Sequence, residues 1–163
     1  MVRIKIEVQA HDGEPKRPKL FQAFEKSHAY VYKVTESREA FYAIADNENA
    51  DLILDPENQK YFGEVGLRAL TPPEYTAART VFVRGVDESI KVKSKENILR
   101  EVNADQRYKI EEVVLLPSGR NLKLVCDSVA TADKLIKSGI NIFRQKFTGK
   151  TLEKEVYVYR PLV

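Results

Sequence analysis

The sequence predicts an α+β protein built of two tandem ferredoxin-like units, each in β-α-β-β-α-β order. Three observations carry that prediction. Strand-like segments alternate apolar and polar residues, helix-like segments space their apolar residues three and four apart, and one strand-to-helix segment occurs nearly twice. Phe41-Tyr42-Ala43-Ile44-Ala45-Asp46-Asn47 runs on to Ala50-Asp51-Leu52-Ile53, and Leu122-Lys123-Leu124-Val125-Cys126-Asp127-Ser128 runs on to Ala132-Asp133-Lys134-Leu135-Ile136. Each reads as a half-buried strand, a small polar capping residue and an amphipathic helix, and their offset is the size of a small domain. The first domain is placed at residues 1–76 and the second at 77–163.

In the first domain, Val2 to Val8 sets Ile4, Ile6 and Val8 against Arg3, Lys5 and Glu7, which predicts a half-buried strand. His11 to Pro15 is a loop. Pro18 starts a helix with Leu20, Phe21 and Phe24 on one side. Ala29 to Thr35, β-branched and aromatic, is a strand, Glu36-Ser37-Arg38 a turn and Ala40 to Ala45 the next strand. Asn47 caps a short helix through Leu54. Asp55-Pro56-Glu57 opens another, with Tyr61, Phe62 and Val65 inward and Gly66 as terminator. Leu67 to Leu70 is a short strand. Pro72-Pro73 stops it and begins a linker to Ala78.

The order then repeats. Thr80 to Val86 is a strand, and Ser94 caps a helix carrying Ile98, Leu99 and Val102. Tyr108 to Leu116 and Asn121 to Cys126 are strands around a Pro117-Ser118-Gly119 turn. Ser128 caps a helix with Ala132, Leu135 and Ile136 inward, ended by Gly139. Two late segments, Ile140 to Phe147 and Val156 to Tyr159, compete for the fourth strand. The one not used is an additional C-terminal strand.

The 163 residues, 43% hydrophobic and 31% charged, suit an ordinary globular chain. No apolar run reaches the ~18 residues of a membrane span. The alternating N-terminus is a strand pattern rather than a leader. The single cysteine, Cys126, excludes an intrachain disulfide and reads as a small buried hydrophobe. A reducing compartment, cytoplasmic and/or nuclear, is expected. Residues 1–76 hold 10 Lys and Arg against 13 Asp and Glu, a net of −3, whereas residues 77–163 hold 17 against 11, a net of +6. The second half is therefore the expected contact for a polyanion.

No catalytic pattern emerges, so the chain is read as a non-enzyme with no cofactor and no metal. Gly149-Lys150-Thr151 lacks the glycine that a P-loop needs five residues earlier, where Arg144 stands. His11 and His28 have no metal-ligand spacing. Asp46, Glu48, Asp51, Asp55 and Glu57 fail the calcium-loop pattern and read as capping and solvated positions. Nucleic acid is expected to avoid that acidic stretch.

The second half resembles an RNA-recognition motif (RRM). Val81-Phe82-Val83-Arg84-Gly85-Val86 is similar to the first-strand signature, with Gly85 where Asn is usual, and Gly119 to Cys126 aligns with the third-strand signature. The two sheet-face aromatic positions of that signature are Asn121 and Lys123 here, leaving Phe82 as the stacking aromatic. In the first half, Lys5 and Tyr42 fall on the open face if their apolar neighbours point inward, and Tyr30 and Tyr32 share a face of undetermined side.

A closer resemblance is to the Gag-like, first-open-reading-frame proteins of non-LTR retrotransposons. It rests on Pro72-Pro73-Glu74-Tyr75, on Ala78-Arg79-Thr80-Val81-Phe82-Val83-Arg84, and on Tyr157-Val158-Tyr159-Arg160-Pro161, which is similar to the segment that leads into CCHC zinc knuckles. It covers residues 28–163. No knuckle is present in this sequence. The resemblance implies RNA binding and self-assembly in a ribonucleoprotein, without catalysis.

The expected function is low-specificity binding of single-stranded RNA or DNA. Phe82 would stack on a base and Asn121 would meet a base edge. Arg84, Lys123, Arg144 and Lys146 would meet phosphates, with Lys91, Lys93, Lys95, Lys150 and Lys154 as further basic groups. The alternative is a degenerate RRM pair that serves as a protein-interaction or self-assembly scaffold, self-associating or docking a host protein.

Overall fold

The computed structural model describes residues 1–104, 107–117 and 120–157. The chain separates into two compact units, Met1–Tyr75 and Thr76–Val163.

The first unit runs β1 (Val2–Val8), α1 (Arg17–Lys26), β2 (Lys33–Glu36), β3 (Ala40–Ala45), α2 (Asn47–Leu54), a 3-10 turn at Pro56–Asn58, α3 (Gln59–Gly63) and β4 (Leu67–Ala69). Its sheet order is β2-β3-β1-β4, and every pairing is antiparallel. The period-2 pattern of β1 sends Val2, Ile4 and Ile6 into the core and leaves Arg3 and Lys5 exposed. Leu20, Phe41, Ile53 and Phe62 complete that core, with Phe24 and Phe62 edge to face at 5.9 Å.

Asp46, not Asn47, caps α2: its extended backbone lets the carboxylate accept the Asn49 N–H at 2.9 Å. Asp55 opens the 3-10 turn by accepting the Glu57 N–H. Gly66, at φ +75°, ends the α3 region where a Cβ would lie 2.6 Å from the Ala10 Cβ. Two expectations fail here. The strand expected from Ala29 begins only at Lys33, and the segment expected as a linker is α4 (Pro73–Ala78). The two prolines occupy the start of a helix, where a missing N–H costs nothing.

The second unit runs β5 (Thr80–Arg84), α5 (Glu88–Lys91), α6 (Lys95–Ala104), β6 (Ile110–Leu115), β7 (Asn121–Cys126), α7 (Val129–Ser138), β8 (Ile140–Ile142), β9 (Gln145–Phe147), a 3-10 turn at Gly149–Thr151 and β10 (Leu152–Lys154). The order β10-β5-β7-β6 is again antiparallel throughout. Both units therefore have the ferredoxin-like, RRM-like topology.

The fourth strand is neither late segment expected. Ile140 to Phe147 folds as its own hairpin, β8–β9, whose Ile140, Ile142 and Phe147 are buried in the core. Leu152–Lys154 pairs with β5 instead, and buried Leu152 sits opposite Val83. Val156 and Tyr157 form no strand, and the rest of the expected Val156–Tyr159 strand lies outside the described residues, as do Ser118 and Gly119 of the expected turn.

Ser128 caps α7 through the Thr131 N–H. Gly139 ends that helix at φ +78°, where a Cβ would meet the Phe147 carbonyl oxygen at 2.8 Å. The hairpin connection is Phe143-Arg144, with φ of 44° and 74°. Positive φ at both central residues is the type I′ geometry that suits strand twist. Without Asn or Gly there, the sequence gives no sign of the turn.

Candidate functional site

In each unit the helices cover one face of the sheet, and cross-strand register identifies the residues on the other.

On the second unit's open face one row runs Glu153, Phe82, Lys123, Val114, and another pairs Arg84 with Asn121. Phe82 is half-buried, flanked by buried Val81 and Val83 that point to the helices. The Lys123 ammonium stands 5.1 Å from the Phe82 ring centroid, a cation–π contact. The same ammonium donates to the Glu155 carboxylate at 2.8 Å. Arg84 pairs with Glu153 at 2.6 Å. The Arg84 pair is more than half exposed and adds at most about 1 kcal/mol of stability. Its consequence is electrostatic: both cations already face a carboxylate.

Four expected residues, Phe82, Arg84, Asn121 and Lys123, therefore share one surface. Arg144 and Lys146 do not lie on it. They belong to the β8–β9 hairpin, which is fastened at the Arg84 end of β5. There the Gln145 amide donates to the Gly85 carbonyl at 2.8 Å and accepts the Asp87 N–H at 2.9 Å. Of the other basic residues, Lys91 donates to the Leu116 carbonyl, Lys93 lies 5.2 Å from the Phe143 ring centroid, and Lys154 pairs with Asp133 at 2.6 Å.

Glu153 and Glu155 were not among the expected site residues. They lie on and just after a three-residue strand, too short for a period-2 pattern to announce which residues share a face.

The first unit's open face has three rows. Lys33, Ile44 and Arg3 form one; Thr35, Tyr42 and Lys5 the next; Ala40, Glu7 and Arg68 the third. The Arg3 guanidinium carbon lies 4.2 Å from the Tyr42 ring centroid. Lys5 and Glu7 are 3.9 Å apart, and Glu74 accepts the Arg3 backbone N–H at 3.4 Å. Arg3, Lys33 and Arg68 have no ion-pair partner among the described residues. A recess of about 630 Å³, lined by Lys5, Glu7, Ser37, Arg38, Glu39 and Tyr42 among others, opens beside this face.

Sequence reasoning placed Lys5 and Tyr42 here but missed Arg3, Lys33 and Arg68, although the alternation of β1 already put Arg3 beside Lys5. Tyr30 and Tyr32 lie before β2, exposed and edge to face at 5.5 Å. The acidic stretch is segregated from the sheet face: Asp46 caps α2, Asp55 caps the following turn, and Asp51 accepts the Tyr75 hydroxyl at 2.6 Å. The Asn49 N–H holds the Asp46 carboxyl below its ordinary range.

The remaining reactive types are placed as follows. Cys126 is buried in the second core, and burial pushes its thiol up to about 12, far from a thiolate nucleophile. His11 and His28 are exposed. Among the described residues no three His, Cys, Asp or Glu side chains gather as metal ligands, and no helix is long and apolar enough to cross a membrane.

No protein-family model matches the chain, and no curated protein matches it. Solved structures do. The chain is similar to the N-terminal three RNA-binding domains of the yeast splicing factor Prp24, at 11% identity and a TM-score of 0.38, over 98% of this chain and 67% of that one. It is similar to RNA-recognition domains 1 and 2 of Sex-lethal from Drosophila melanogaster, at 10% identity and a TM-score of 0.35, over 85% and 93%. It is also similar to E. coli aspartokinase III, at 13% identity and a TM-score of 0.33, over 82% and 30%.

Proposed function

We propose that this chain binds single-stranded nucleic acid, RNA foremost, with low sequence specificity and without catalysis. One observation carries the reading: each sheet leaves one face uncovered, and each uncovered face has a cation stacked on a central aromatic. Bases stack on aromatic rings and on guanidinium planes, and cations meet phosphates, so such a face suits an unpaired strand. On the second sheet Phe82 supplies the ring, Asn121 a base-edge contact, and Arg84 and Lys123 the charge. Arg144 and Lys146 stand apart on the β8–β9 hairpin, where they would meet phosphates beyond the sheet face. The setting we propose is a retrotransposon Gag-like ribonucleoprotein, cytoplasmic and/or nuclear, in which the chain also self-associates.

Electrophoretic binding to a labelled oligouridine RNA across about 50 to 200 mM salt tests this reading. A shifted complex that weakens steeply with salt is expected, and weaker still in Phe82→Ala/Lys123→Ala. No shift at the lowest salt would overturn it.

A second reading has its own support. The pairing of Arg84 with Glu153 and Lys123 with Glu155 neutralises both cations of the second sheet's open face and leaves it polar without excess positive charge, which suits a protein partner or a second copy of the chain. A concentration-dependent rise in molecular size, with no change on adding RNA, would favour that scaffold role.

A further inference from the structure

We infer that the first unit's sheet, rather than the second's, is the main phosphate-contacting surface, with the Arg3 guanidinium on Tyr42 as its central platform; this rests on the nucleic-acid reading above. The two open faces differ in charge. The open rows of the first sheet hold four cations, Arg3, Lys5, Lys33 and Arg68, against one carboxylate, Glu7, a net of +3. The second sheet has a further open row in which the Glu155 N–H donates to the Thr80 carbonyl, Thr80 faces Val125 and Val125 faces Glu112, so its open face holds Arg84 and Lys123 against Glu112, Glu153 and Glu155, a net of −1.

The pairing pattern sharpens the contrast. Both second-sheet cations are held by a carboxylate at 2.6–2.8 Å. A phosphate arriving there must displace that partner and meets its negative charge within a Debye length. On the first sheet only Lys5 is ion-paired among the described residues, at 3.9 Å from Glu7; Glu7 also stands opposite Arg68 in the register, and Glu74 accepts the Arg3 backbone N–H. All four first-sheet cations are exposed. They stand on β2, β1 and β4, so they span three strand spacings, about 14 Å. That is a track across the sheet rather than a point.

The platform is chemically apt. A guanidinium lying over a ring is planar, weakly hydrated and always charged, and it keeps N–H donors for phosphate oxygens at its edge. A base can stack on its outer surface while the next phosphate meets Lys5 or Lys33. The recess beside Tyr42 sets Lys5 and Arg38 against Glu7 and Glu39 on its walls, so it offers space rather than net charge for the sugar-phosphate to turn away from the sheet. Net charge by domain conceals all this, because the carboxylates of the first unit belong largely to its helices and turns.

Fluorescence anisotropy of a fluorescein-labelled oligouridine RNA with the full chain tests the inference. Lys5→Gln/Lys33→Gln is expected to weaken binding about tenfold near physiological salt and to reduce the salt slope by about 1.4, two phosphate contacts' worth. Arg3→Ala is expected to do the same with a slope change of about 0.7. Thermal unfolding checks that each variant folds, and the Lys5/Lys33 pair, both exposed, carries the test should Arg3→Ala disturb β1. Loss confined to Phe82→Ala/Lys123→Ala, with the first-sheet variants binding as the parent does, overturns the inference while the nucleic-acid reading stands. No binding by the parent chain overturns both.

Discussion

The two open sheet faces make a natural experiment within one chain. Both are four-stranded with the same topology, and both set a cation on an aromatic ring at the centre: Arg3 on Tyr42 in the first unit, Lys123 on Phe82 in the second. They differ in the edge strand beside the central one. In the first unit that strand is β4, and it contributes Arg68. In the second it is β10, which contributes Glu153 and leads into Glu155. Arg68 on one edge strand, and Glu153 with the Glu155 that follows it on the other, thus contribute to whether a shared platform is cationic or self-neutralised. Topology places the side chains, and the identity of two or three of them sets what the surface attracts.

The comparison can be broken at its base by asking whether the central aromatics belong to the faces at all. Phe62→Ala and Phe147→Ala, fully buried in the two cores, should each cost about 3–5 kcal/mol in urea unfolding. Tyr42→Ala and Phe82→Ala, half-buried, should each cost below about 2 kcal/mol. A Phe82→Ala cost equal to that of Phe147→Ala would make Phe82 a core residue and remove the likeness between the faces.

A more selective perturbation acts on the carboxylates. Glu153→Gln/Glu155→Gln should raise oligouridine affinity several-fold and steepen its salt dependence by up to about 1.4, because two cations are released toward phosphates. Unchanged affinity and slope would mean that the ion pairs do not limit what the second face binds.

The smallest expected effect concerns Cys126, on the opposite side of β7 from Lys123. Its thiol should resist alkylation at pH 8 until the second unit opens; prompt labelling of the native chain would contradict the sealed core. Its value is raised from 9.0 to about 12, so the folded state holds the proton more tightly. The associated stability is present in full below the ordinary thiol value and is lost as pH rises toward about 12.

Much of the fold was readable because long elements repeat their pattern. Ala40–Ala45 and Asn121–Cys126 have the bounds the alternation predicted, and Asp55, Ser128, Gly66 and Gly139 perform their expected cap and terminator roles. What escaped was short or atypical. β10 has three residues and no period to read. The Phe143-Arg144 turn lacks the Asn or Gly that usually marks it, and α4 starts on prolines that also read as a stop. The site suffered accordingly. Phe82, Arg84, Asn121 and Lys123 could be placed together from strand register alone, but Glu153 and Glu155 could not, since their strand was unrecognised. Arg3, Lys33 and Arg68 were overlooked because charge was tallied along the chain. In a sheet protein it partitions across it, with a period of two.

The β8–β9 tip carries one more implication. Two non-glycine residues hold left-handed backbone there, a conformation costing roughly 1–2 kcal/mol apiece. The compensation is local: Phe143 packs against the second core and Gln145 clamps the hairpin to Gly85 and Asp87. Such a tip is the reverse of a floppy fingertip. Arg144 rides on scaffolding set before any encounter, so a contact made through it forfeits side-chain freedom alone and little of the main chain's.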